Sequence, residues 1–127
     1  IVDFRRRTPS KNMPHVVVCE EAHNIVPARF EGQLTIIEQS LKEMRKFGVS
    51  MWIIDQRPLS VSRDVLGLCG NFVCFKLQYS SDASKIAETL RLNEFQKMHL
   101  QKLGKGEAIA FLAAHPEPLL IEAAFMD

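Results

Sequence analysis

The stretch Val16-Val17-Val18-Cys19-Glu20-Glu21-Ala22-His23 decides the fold. Its four apolar residues follow Pro14, and three of them are β-branched, so they read as a short strand. An apolar run without alternation suits an inner strand of a parallel sheet. The run ends in two adjacent carboxylates. In an open parallel sheet ligands bind beyond the carboxyl ends of the strands, where Glu20 and Glu21 fall. Neighbouring side chains on an extended chain point different ways, so the two acids can take different work. One suits a hydrated Mg²⁺, which takes a few carboxylates and keeps several waters. The other suits orienting or deprotonating an attacking water. The same pattern also describes a solvated acidic strand end, and the pair alone does not separate the two. Glu20-x-x-His23 has the spacing of a di-iron helical bundle as well, but that arrangement needs a long helix where this β-branched run stands. His23 reads either as a link from the acidic site to another part of the fold or as a histidine bonded to backbone at a helix start.

Downstream, Leu34, Ile37, Leu41 and Met44 recur at spacings of three and four, predicting a helix from Gln33 to Phe47 with Gly48 closing it. Val49 to Ile54 is a second apolar strand, and it leads into Asp55-Gln56-Arg57-Pro58. If the two strands are neighbours, these polar groups share a rim with Glu20 and Glu21. A glutamine there can donate its amide to a water or a terminal phosphate. Taken alone, this second stretch is better read as an ordinary strand exit with a solvated Arg57. A short helix over Asp64–Cys69 and a third strand over Phe72–Leu77 follow. Ser81-Asp82 is expected to cap a helix to about Leu90, and Asn93 another to about Leu103. Ala108–Leu112 and Leu119–Ala124, joined by His115-Pro116-Glu117-Pro118, predict a C-terminal β-hairpin. Phe72, Phe75, Phe111 and Phe125 fall in these apolar patterns and are expected in the core. Strand and helix alternate in the first part, so the fold class is α/β, with a mostly parallel sheet flanked by helices.

Composition excludes little. The 127 residues carry 16 Lys and Arg against 15 Asp and Glu, so no global charge draws the chain to nucleic acid or membrane. Arg5, Arg6 and Arg7 form a local basic patch. Cys19, Cys69 and Cys74 lack paired spacing, which argues against a disulfide scaffold or zinc ribbon and for a reducing, cytoplasmic setting. No apolar run approaches the roughly 20 residues that span a bilayer. The chain opens at Ile1 in mid-pattern, so it is expected to be one partial domain over residues 1–127.

The two strand-end motifs, with Arg45-Lys46-Phe47-Gly48-Val49 between them, resemble the HerA/FtsK superfamily of hexameric DNA-pumping ATPases, and its HerA-like branch most closely. Val65-Leu66-Gly67-Leu68-Cys69-Gly70-Asn71-Phe72 and Gly106-Glu107-Ala108-Ile109-Ala110 carry the same resemblance, which runs from about Pro14 to Ile121. It implies a partial RecA-like P-loop NTPase fold and a DNA translocase or helicase motor that hydrolyses ATP with Mg²⁺. Glu20 then matches the Mg²⁺-associated Walker B acid, holding the ion through water; Glu21 matches the catalytic base; Gln56 matches the sensor beside the nucleotide. Arg57, Arg63 and Arg91 are candidates for an arginine finger reaching a neighbouring subunit. DNA, a homo-hexamer and a nuclease partner are the implied partners.

Two departures stand out. The first acid is Glu20 where the family usually has Asp. Asp55 stands where Thr or Ser often precedes the glutamine, and it suits a nucleotide site only if it faces away or pairs with Arg57. No GxxxxGK[ST] loop occurs in the sequence, so the phosphate cradle is expected upstream of Ile1, and the chain alone is expected to be inactive. An upstream strand would pack beside the first one, and without it the bare edge is expected to self-associate or to be covered by Ile1–Phe4. A DEAD/DEAH-type helicase would carry Ser-Ala-Thr on the next strand rather than Asp55-Gln56-Arg57-Pro58. A non-catalytic assembly or DNA-binding module that kept the fold is the other reading.

Overall fold

Period and punctuation act locally to build each element, and the computed structural model describes residues 15–28 and 36–124. The first apolar run forms β1, His15–Cys19, and the second forms β2, Val49–Ile53. They pair in parallel, with Val16 opposite Ser50 and Cys19 opposite Ile53. Between them runs α1, Ile36–Met44, tightening into a 3-10 turn over Arg45–Phe47. Its expected start at Gln33 lies outside the described residues. Gly48 stops the helix at φ 68°, a left-handed conformation that glycine adopts without steric cost, and its carbonyl accepts the His15 amide at 3.1 Å. Ile1–Phe4, Arg5–Arg7 and Phe125 also lie outside the described residues.

The parallel ladder continues past both strands. The Ile54 amide donates to the Cys19 carbonyl at 2.9 Å and the Ala22 amide to the Ile54 carbonyl at 3.2 Å. The segment after β1 then runs beside the one after β2, through Ser62 N–H to Val26 at 2.9 Å and Ala28 N–H to Ser60 at 2.8 Å. Ala22, Val26, Val61 and Val65 are buried there, and α2, Arg63–Leu68, follows. Burial along β1 alternates, although its sequence does not: Val16 and Val18 are 54% and 55% exposed, while Cys19 is buried. Register places Trp52 beside Val18 on the same face, and both are exposed.

The chain divides into two compact units, the first through Leu68 and the second from Cys69. In the second, β3 (Asn71–Phe75) forms where a third strand is read over Phe72–Leu77, but in an antiparallel sheet rather than a parallel one. It runs antiparallel to β4 (Glu107–Leu112), and β4 runs antiparallel to β5 (Leu119–Glu122), giving the order β3-β4-β5. The last two strands are the expected hairpin. Between β3 and β4 lie α3, Ser80–Leu90, and α4, Glu94–Lys102. Cys74, Leu77, Ala83, Ile86, Leu90, Leu100, Leu103 and Ile109 form the core, with Phe72 and Phe111 packed on it. Phe75 is instead 53% exposed, because it lies one residue beyond buried Cys74 on a pleated strand.

Asn93 caps α4 through a full capping box: its side chain accepts the Gln96 amide and Gln96 accepts the Asn93 amide, both at 2.9 Å. The cap expected from Ser81-Asp82 does not form. The residue before α3 is Tyr79, with no side-chain cap, and Asp82 lies buried inside the first turn. Cys19, Cys69 and Cys74 form no disulfide, and burial pushes the Cys74 thiol up to about 11.

Candidate functional site

The parallel ladder carries two polar tips to one end of the first unit. Ile53 lies level with Cys19, so Asp55 and Gln56 leave β2 beside the residues that leave β1. Glu21 turns out of β1 in the left-handed region, at φ 48° and ψ 51°, ahead of a 3-10 turn over Ala22–Asn24. Its side chain is about half exposed, and the Gln56 amide nitrogen donates to its Oε1 at 3.2 Å. Thus two of the residues singled out from sequence, Glu21 and Gln56, meet directly across 35 residues of chain. Glu20 lies exposed next to them on the chain, at the end of β1. Arg57 and Arg63 are exposed and belong to the same unit; Arg91 ends α3 in the second unit, in the left-handed region at φ 54°.

The residues that sequence reasoning underrated are Asp55 and His23. Asp55 Oδ1 accepts the Arg57 amide at 2.8 Å, and Oδ2 accepts both the backbone amide and Nδ1 of His23, each at 2.8 Å. A carboxylate accepts only, so the proton sits on His23 Nδ1. The Asp55 side chain is 5% exposed. Burial alone would raise its pKa, but the Arg57 and His23 amides and the His23 ring outweigh that, and it lies below the usual 3.8. The extra carboxylate is therefore buried and satisfied by the Arg57 backbone amide and by His23. His23 is the link between segments, its ring bound to a side chain rather than to backbone. Register held the signal: with Cys19 level with Ile53, the residues that follow both strands leave the ladder at the same end.

Glu21, His23 and Asp55 each offer a ligand atom within 4.8 Å of the others. They suit a metal poorly. His23 Nδ1 carries the proton given to Asp55, and Asp55 Oδ2 already accepts two N–H groups. Glu21 Oε2 lies 3.6 Å from His23 Nδ1, farther than Asp55, so the ring N–H belongs to Asp55. The exposed carboxylate of Glu20, by contrast, has the chemistry that Mg²⁺ accepts through water. Among the described residues no helix is long and apolar enough to cross a membrane.

Solved structures share this arrangement of elements, and curated proteins share its sequence. The genome packaging NTPase of Sulfolobus turreted icosahedral virus 2, solved with ATP-gammaS, superposes with a TM-score of 0.74 at 14% identity, covering 91% of this chain and 59% of that one. The fold is therefore that of a P-loop NTPase, seen here in part. The DNA double-strand break repair helicase HerA of Pyrococcus furiosus is 26% identical over 123 residues, covering 95% of this chain. The HerA of Saccharolobus solfataricus is 33% identical over 111 residues, covering 84%. This chain spans 22% of the length of each of these two relatives. The family model for the helicase HerA-like C-terminal region matches residues 9–127. Nearly the whole sequence is matched, and the chain belongs to the helicase HerA-like C-terminal family.

Proposed function

We propose that this chain supplies the hydrolytic edge of an ATP-driven DNA translocase or helicase motor. The observation that carries the reading is the Gln56–Glu21 hydrogen bond of 3.2 Å at the carboxyl ends of two parallel strands. There a base and an amide can address one water. Glu21 is the general base that takes a proton from the attacking water. Gln56 holds Glu21 through one amide N–H, keeps its carbonyl oxygen to orient that water, and has a second N–H to reach the terminal phosphate. Glu20 would hold Mg²⁺ through water, and the ion, when bound, neutralises charge on the phosphate oxygens. The phosphate cradle comes from residues outside these 127. Arg57, Arg63 or Arg91 is the candidate to reach a neighbouring subunit as an arginine finger. DNA as the moved polymer, a homo-hexameric ring and a nuclease partner belong to the same proposal. It is supported by the helicase relatives and by the ATP-gammaS complex of the packaging NTPase.

The test is Glu21→Gln in the protein that carries this chain. Nucleotide affinity should stay near wild type while hydrolysis falls by roughly 10²-fold or more, the scale of lost general-base assistance. Normal turnover by that variant would remove the assignment.

A further inference from the structure

Glu21 is a non-glycine residue in the left-handed region, a strained conformation that lasts only where the surroundings over-determine it. Its own side chain is half exposed and meets Gln56 through one hydrogen bond, which is weak support for such strain. The stronger constraint lies one residue pair further in. Asp55 gathers three N–H groups onto two oxygens, two from His23 and one from Arg57. Those donors come from the segment after β1 and the segment after β2. Glu21 lies two residues before His23, and Gln56 lies between Asp55 and Arg57, so both site residues sit inside clamped backbone.

We propose that Asp55 and His23 are a positioning pair: Asp55 fixes both strand exits, and His23 serves through its Nδ1–H as a donor rather than as an acid or base. The pair sets the orientation of Glu21 against Gln56 without touching the nucleotide. This rests on the hydrolytic role proposed for Glu21, and the two ideas fail differently. The Nδ1 position can be imitated, because the side-chain amide nitrogen of asparagine falls near it.

The experiment measures kcat and KM for ATP in the protein that carries this chain, for wild type, Glu21→Gln, His23→Ala and His23→Asn, with melting curves recorded alongside. His23→Ala should lower kcat on the order of 10²-fold, the cost of misplacing reacting groups by about 1 Å, with little change in KM. His23→Asn should recover most of that loss and keep the wild-type pH profile. Imidazole ¹⁵N spectra of the wild type, taken where the ring is neutral, should place the proton on Nδ1. Wild-type turnover by His23→Ala, with Glu21→Gln inactive, would overturn the positioning pair alone. So would a folded His23→Asn as slow as His23→Ala, since the imidazole itself would then be needed, and so would a proton found on Nε2. Normal turnover by Glu21→Gln would remove the reading beneath it.

Discussion

Replacing Asp55 by Asn changes one oxygen for an NH₂ group and leaves the volume nearly the same, so its cost can be worked from the hydrogen bonds alone. Asp55 accepts from Arg57 N–H at one oxygen, and from His23 N–H and Nδ1–H at the other, all at 2.8 Å. An asparagine has one acceptor oxygen. If that oxygen keeps the two His23 bonds, the NH₂ meets the Arg57 amide donor to donor. If it turns to Arg57, two donors are stranded instead. The first arrangement is the cheaper, and a stranded donor in a site this enclosed costs about 1–3 kcal/mol. The surviving bonds weaken as well, because the acceptor is no longer charged. With a urea slope of about 2 kcal/mol/M, the unfolding midpoint should drop by about 0.5–1.5 M. The dependence on pH has a definite sign. The folded pKa of Asp55 lies below 3.8, so its stabilising contribution is fully present above that value and is lost as pH falls through the folded pKa. The gap between wild type and Asp55→Asn should be full at neutral pH and close in acid below 3.8. Urea unfolding of both proteins across that range is the assay. Equal midpoints at neutral pH, or a gap that widens in acid, would refute the reasoning.

Leu100 is fully buried in the second unit's core, so Leu100→Ala should destabilise by about 2–5 kcal/mol in a denaturant titration. Cys74, buried and with its thiol pushed up to about 11, should resist thiol reagents at neutral pH in folded protein and react freely once urea unfolds it. The 127 residues alone, without a GxxxxGK[ST] loop, should bind Mg-ATP weakly or not at all by isothermal titration; micromolar binding would show that no outside phosphate cradle is needed.

Much of the fold was legible because the deciding signals were local. The two apolar strands, the crossover helix closed by Gly48, the Asn93 cap and the final hairpin each follow from a few neighbouring residues. The partner of β3 was not legible. Phe72-Val73-Cys74 is an apolar run whichever neighbour it takes, and strand pairing is settled by contacts far apart in sequence. Its antiparallel match to β4 depends on α3 and α4 folding between them. Burial along β1 misled in a different way. A continuous apolar run promises cover on both faces, yet among the described residues only one face of the two-stranded sheet is covered, so Val16 and Val18 stand exposed. Ser81-Asp82 looked like a cap because both residue types favour that position. Asp82 is buried instead, so its place is set by packing around α3.

At the site, the sequence named the two residues that meet but not the two that hold them. Glu21 and Gln56 were legible as polar residues ending apolar strands. Asp55 looked like a misplaced charge because its neighbours could be counted only along its own strand. Once Cys19 lies level with Ile53, positions 21 and 55 face the same end of the ladder. Asp55 turns in to three N–H donors, and Gln56, the next residue, turns out to Glu21. That carboxylate is held by N–H donors one residue away from the exposed pair. The departure from the usual Thr or Ser at this position therefore leaves the exposed pair intact. It also gives His23, which sequence alone left between two roles, a partner that only the register of the two strands could supply.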